Sequence, residues 1–92
     1  MFLNEQQLDA VEQYAGLFYT AKEIAVILEL PPAELIAAIK DEQSEIYKRF
    51  YKGRLIKEAA IRKSVLQLAV QGSSPAQMMA MKIFDTSKVK LH

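Results

Sequence analysis

The stretch that decides the fold runs Thr20-Ala21-Lys22-Glu23-Ile24-Ala25-Val26-Ile27-Leu28-Glu29-Leu30-Pro31-Pro32-Ala33-Glu34-Leu35-Ile36-Ala37-Ala38-Ile39. Its first four residues form a capping box. The Thr20 hydroxyl can accept from the third backbone N–H of a helix while Glu23 reaches back to the Thr20 N–H, and Tyr19 and Ile24 are placed as a hydrophobic staple. This helix should last to about Leu28. Pro31 and Pro32 cannot continue it, yet proline suits the first turn of a new helix, where an N–H would have no helical partner. Leu35, Ile36 and Ile39 give the second helix its buried side, to about Lys40. Ala25 puts a small side chain where the two helices must cross closely, and Leu28, Leu30, Leu35 and Ile39 can seal the corner. The pattern predicts a helix-turn-helix, with Glu29 in place of the usual turn glycine.

Upstream, Asn4-Glu5-Gln6-Gln7 is a second cap, Leu8, Val11 and Ala15 repeat at helical spacing, and Gly16-Leu17 predicts a Schellman stop. Downstream, no proline interrupts residues 44–70, so one helix of about 40 Å is expected at 1.5 Å per residue. Gly53 is its weak point, costing up to about 1 kcal/mol relative to Ala. Gly72 ends that helix. Ser74 as N-cap, Pro75 and Gln77 start the next, which carries Met78, Met79, Met81, Ile83 and Phe84 and should stop near Asp85. Lys88-Val89-Lys90-Leu91-His92 reads as a frayed tail. The expected fold is all-α with about five helices: a helix-turn-helix bundle over residues 1–43, then a long helix and a short antiparallel partner over residues 44–92. The two parts could also form one compact domain.

The chain has 92 residues, 51% of them hydrophobic, and a mean hydropathy of +0.01, enough for an ordinary core. It has no cysteine, and His92 is the sole histidine, which excludes disulfide scaffolds, thiolate or multi-histidine metal sites and Cys nucleophiles. No phosphate-binding glycine loop, nucleotide fingerprint or nucleophile elbow occurs. A protein without catalytic activity, cofactor or metal is the expectation. Apolar runs such as Ile24–Leu28 are too short to span a bilayer, and the first residues lack the basic and apolar regions of a signal peptide, so a cytoplasmic binding protein is expected.

The net charge of +1 hides an uneven distribution. Residues 1–43 hold two bases and eight acids, a net of −6, and residues 44–92 hold ten bases and three acids, a net of +7. Such polarity points to nucleic acid at the basic end or to head-to-tail association of chains. The second helix of the corner exposes Ala33, Glu34, Ala37 and Lys40. Major-groove reading calls for Arg, Lys, Asn or Gln, and only Lys40 qualifies. The better candidates for phosphate lie on the long helix, where Lys48, Arg49, Lys52, Arg62 and Lys63 fall within about 140° at 100° per residue. Arg54 and Lys57 point nearly opposite.

The apolar residues of the long helix lie on more than one side. Ile46, Phe50, Ile61, Val65 and Leu68 share one, whereas Leu55, Ile56, Ala59 and Leu66 occupy others. A helix apolar all round is buried from several directions, so a second subunit or a bend at Gly53 is expected. The candidate oligomer contacts are Phe50, Leu55, Ile56, Leu66, Met78 and Met81, the methionines offering adaptable apolar surface.

Three segments in order, Thr20–Ile39, then Tyr47-Lys48-Arg49-Phe50-Tyr51-Lys52-Gly53-Arg54, then Ser64-Val65-Leu66-Gln67-Leu68-Ala69-Val70-Gln71-Gly72-Ser73-Ser74-Pro75-Ala76-Gln77-Met78, resemble the helix-turn-helix type of small subunit found in phage DNA-packaging terminases and related prophage proteins. The match covers roughly residues 18–85 through short, degenerate motifs. The resemblance implies a non-enzymatic protein of a bacterial host cell that binds double-stranded DNA, forms a homo-oligomer and passes DNA to a large terminase subunit. It also implies that the corner binds DNA and that residues 44–85 mediate assembly. Two other readings of the residues stand beside it. One is a self-assembly module whose acidic head docks on a neighbour's basic helix without DNA. The other is a small transcriptional regulator.

Overall fold

The computed structural model describes residues 1–89, the last three through their backbone alone. Five helices account for nearly all of it: α1 Glu5–Gly16, α2 Ala21–Leu28, α3 Pro32–Lys40, α4 Glu45–Val70 and α5 Ser74–Val89. The fold is all-α. Lys88 and Val89 continue α5 instead of beginning a tail, and that helix runs past its expected stop at Asp85. Lys90, Leu91 and His92 lie outside the described residues.

The starts of these helices follow local chemistry. The Asn4 side chain accepts from the Gln7 N–H at 2.8 Å and the Gln7 side chain accepts from the Asn4 N–H at 2.9 Å. Thr20 and Glu23 make the same reciprocal pair at 3.2 and 2.9 Å. Pro31 and Pro32 open α3 without a side-chain cap, and the Ser44 hydroxyl accepts from the Ile46 N–H at 3.0 Å to begin α4. At α5 the cap is one residue earlier than expected. Ser73 accepts from the Ala76 N–H at 3.3 Å, and Gln77 instead donates its side-chain N–H to the Ala69 carbonyl at 3.1 Å, fastening the turn between α4 and α5.

Three helix ends share one geometry. The N–H of Tyr19 reaches the Tyr14 carbonyl, that of Leu30 the Ala25 carbonyl and that of Ser73 the Leu68 carbonyl, each closing a Schellman turn around a left-handed residue. Those residues are Phe18 at φ 67°, Glu29 at φ 56° and Gly72 at φ 101°. Only the last is the glycine that such a turn favours. Gly16, expected as the stop of α1, is its last helical residue and serves a different purpose. A Cβ on Gly16 would sit 3.2 Å from the Gly53 carbonyl, and a Cβ on Gly53 would sit 2.1 Å from the Glu12 carbonyl. The two glycines let the backbones of α1 and α4 approach where any side chain would hold them apart. Gly53 is thus a crossing point in an uninterrupted helix and no kink is needed there.

Packing divides the chain into two compact units, Met1–Lys57 and the residues from Glu58 onward. The division falls inside α4, fourteen residues later than the boundary expected from charge and turn signals. In the first unit Leu3, Leu8, Val11, Ala15, Ile24, Ala25, Leu35, Ile39, Ile46 and Phe50 form one buried core, with Leu28 and Leu30 packed against it. Ala25, at 0% exposure, is the small crossing residue of the corner. In the second unit, the second half of α4 and α5 form a helical hairpin. A groove lined by Ile61 and Val65 from α4 and by Met79 and Ile83 from α5 lies between the two helices. Only Val65 and Ala76 of this hairpin are buried among the described residues.

Candidate assembly and nucleic-acid surfaces

The basic residues nominated for phosphate fall into two groups. Within the first unit, α1 presents Glu5, Asp9 and Glu12 at a spacing that aligns them on one helical face. Arg49 of α4 points into that row. Its Nε donates to Glu12 at 2.8 Å and one terminal nitrogen donates to Glu5 at 3.2 Å, while the other meets Asp9. The Arg49 side chain is 18% exposed. Its hydrogen bonds to Glu12 and Asp9 hold the guanidinium's pKa above its ordinary value. Three carboxylates engage three of the five N–H donors of this guanidinium and more than neutralise its charge, which leaves it little attraction for a phosphate. Arg49, expected at a DNA surface, joins α1 to α4 in this structure.

Lys52 lies 3.9 Å from Glu12 and Lys48 lies 3.7 Å from Glu45, both lysines remaining exposed at the surface. Arg54 is also internal in purpose. It donates to the Tyr19 carbonyl at 2.9 Å, beyond the end of α1, and its guanidinium carbon lies 4.6 Å from the centre of the Phe50 ring. Lys40 is exposed at the end of α3, beside exposed Ala33, Glu34 and Ala37. In the second unit Arg62 and Lys63 are exposed, and no ion pair or hydrogen bond engages their charged groups among the described residues.

Redrawn along the packing boundary, the charge contrast shrinks. The first unit has seven bases against nine acids, a net of −2, and the remainder has five against two, a net of +3. The first stretch of α4 supplies bases to the acids of α1, so most of the apparent polarity along the chain is internal pairing within one unit.

The candidate oligomer contacts divide as sharply. Phe50 is 3% exposed and belongs to the core of the first unit, so it is corrected from an interface residue to a core residue. Leu55, Ile56, Leu66, Met78 and Met81 are 45% to 68% exposed. Around them Ile61, Leu68, Val70, Met79 and Phe84 also show large accessible surface. Ile61 and Leu68, grouped by periodicity with Phe50 and Val65, are not buried as those two are. A continuous apolar stripe on a long helix finds core only where other helices reach it.

The residues missed from sequence are Glu5, Asp9 and Glu12. Their spacing was visible, but their partner lies about forty positions away and no local signal pairs them. No cluster of acidic or histidine side chains suited to a metal ion occurs among the described residues. No helix among them is long and apolar enough to cross a membrane. Comparison with protein-family models, with curated proteins and with solved structures finds no match for this chain.

Proposed function

We propose that this protein is a non-enzymatic, self-assembling DNA-binding component, similar in its role to the small subunit of a phage packaging terminase. The observation that carries this reading is the second unit. It is a two-helix hairpin that buries only Val65 and Ala76, leaves Leu66, Leu68, Met78, Met79 and Met81 at 45% to 68% exposure, and carries the unengaged cations Arg62 and Lys63. Two helices share a single seam, so most of their apolar surface needs further helices to cover it. Contiguous exposed apolar surface of this kind marks an interaction site. Assembly would also repeat Lys63 around the oligomer and give a multivalent, sequence-tolerant phosphate surface. The large terminase subunit would be the further partner, with DNA handed on and no chemistry performed here.

Sedimentation of the protein with and without duplex DNA, over a series of salt concentrations, tests this. The wild type should sediment as an oligomer, and Leu66→Glu should lower its mass. DNA should bind with a steep salt dependence, and Lys63→Glu should flatten that slope by about one unit for each phosphate no longer neutralised. Substituting Arg49 by Met should leave the slope unchanged. A monomer that ignores DNA at low salt would refute the reading. An oligomer that ignores DNA would favour the pure assembly module, which the pairing of Arg49, Lys48 and Lys52 with acids already supports.

A further inference from the structure

The first unit carries its own uncovered feature. Phe2 is 90% exposed, the most exposed large hydrophobic side chain among the described residues. It lies on a groove of about 800 Å³ lined by Glu34 and Asp41 and by Glu5 and Glu45, the last two already paired with Arg49 and Lys48; no Lys or Arg lines it. An aromatic ring in water on a groove that also holds Glu34 and Asp41, carboxylates in no ion pair among the described residues and an acidic collar on one side, calls for an apolar socket with cationic edges. The second unit offers one: the groove of about 400 Å³ between α4 and α5, floored by Ile61, Val65, Met79 and Ile83, flanked by Arg62 and Lys82, with Glu58 its one acid.

We infer that Phe2 of one copy seats in the α4–α5 groove of a neighbouring copy, with the acidic collar facing Arg62 and Lys82. The inference rests on the assembly reading above and specifies its geometry. The contact joins two different surfaces, so each copy gives with one and receives with the other. A contact of that kind is head-to-tail and closes into a ring, or propagates as a filament, according to the rotation between copies. Desolvating an aromatic anchor supplies affinity and the charged collar supplies orientation. Arg62 then serves the neighbour's collar in the assembled form, which leaves Lys63 as the cation of that pair free for phosphate.

Charge exchange between two variants tests the contact. A head variant, Glu34→Lys with Ala37→Lys, reverses the collar at exposed positions. A hairpin variant, Arg62→Glu with Lys82→Glu, reverses the socket. Each alone should assemble at least tenfold more weakly than the wild type, with its helical circular dichroism intact. An equimolar mixture should co-assemble, because each reversed surface meets a partner of opposite charge in the other variant. Phe2→Ala should weaken assembly to a similar extent and should not be rescued by either variant. If the head variant and Phe2→Ala assemble like the wild type while Leu66→Glu does not, the head-to-tail contact is overturned and assembly through the hairpin stands. A wild type that stays monomeric at millimolar concentration overturns both.

Discussion

The two units start from similar sequence and end in opposite conditions. Residues 1–57 place four helical segments around ten buried apolar side chains, and no large aliphatic residue of that core is more than 7% exposed. The hairpin from Glu58 onward is nearly as rich in Leu, Ile and Met, yet it buries two residues among those described. Apolar periodicity creates a demand for burial, and the number of helices that meet determines whether one chain can satisfy it. α4 shows this within one element, since Ile46 and Phe50 are core residues whereas Ile61 and Leu68 on the same stripe are half exposed.

The largest expected effect breaks the first unit at its tightest point. Gly53→Ala directs a Cβ to within 2.1 Å of the Glu12 carbonyl, a backbone atom that cannot rotate away. α1 and α4 must separate, disturbing the Arg49 pairing and the core around Phe50. The helix-propensity gain of Ala, about 1 kcal/mol, opposes this and should be overwhelmed. A net loss of about 3 kcal/mol or more is expected by chemical denaturation, enough to unfold a marginal domain. Gly16→Ala, whose Cβ would meet the Gly53 carbonyl at 3.2 Å, should cost no more than about 1 kcal/mol. Equal effects would contradict the crossing geometry.

Next comes a direct contrast of buried and exposed side chains. Ile24→Ala removes a fully buried side chain and should lower stability by about 2–4 kcal/mol. Leu66→Ala, at a position 45% exposed, should change the stability of dilute, monomeric protein by less than about 0.5 kcal/mol. On the proposed assembly, the wild type should show a concentration-dependent rise in melting temperature that the Leu66 variant loses. A large effect of Leu66→Ala on the dilute protein would mean that the hairpin is covered within a single chain.

What could be read from residue order was whatever is decided within one turn of helix. The capping boxes at Asn4 and Thr20, the proline start of α3, the corner around Ala25 and the stop at Gly72 rest on side chains and backbone groups three to five residues apart. The meaning of Gly16 and Gly53 was not local. Each looked like a stop or a weak point, and only the approach of α1 to α4 makes them contact residues. The same holds for the candidate site. Arg49 sat correctly on a basic stripe, but the stripe faces Glu5, Asp9 and Glu12 for part of its length, and periodicity measures direction without naming what lies there. The exposure of Leu55, Ile56, Leu66, Met78 and Met81 follows from their excess over what a small core can hold.

The helix ends sharpen the comparison on a smaller scale, because the first unit closes two Schellman turns on side-chain-bearing residues and the hairpin closes its own on glycine. Glu29 at φ 56° carries the left-handed strain that its Cβ imposes, roughly 1 kcal/mol. Glu29→Gly relieves it at some cost in unfolded-chain entropy, for a net gain of up to about 1 kcal/mol. That should raise the melting temperature by a few degrees. Gly72→Ala should act in the opposite direction by a similar amount, although nothing lies within 4 Å of its added Cβ, because φ is 101°. Opposite signs from residues in the same turn geometry would show that backbone conformation, and not contact, sets both effects.

The smallest effect belongs to the cap of α2 and is read through pH. Hydrogen bonds from the Thr20 backbone and side chain hold the Glu23 carboxyl below its ordinary pKa of 4.5 in the folded protein. The unfolded chain therefore binds this proton more readily, and protonation favours unfolding. The stabilisation is present in full above the unfolded value and fades as the pH falls through the lower folded one. Gln keeps the neutral half of the capping box without the titration. The melting temperature of the wild type should thus exceed that of Glu23→Gln at neutral pH by a small margin, and the margin should narrow below about pH 4.5 as the carboxyl is protonated. Thr20→Ala removes the hydroxyl's share of the shift but keeps the larger backbone one, so it should reduce, without erasing, the pH dependence of that margin when Glu23→Gln is compared in its background. Because Glu23 belongs to the first unit, the narrowing should appear in the melting of that unit even in dilute protein where the hairpin is unassembled. A margin that widens in acid would mean that Glu23 is held by something other than the Thr20 cap.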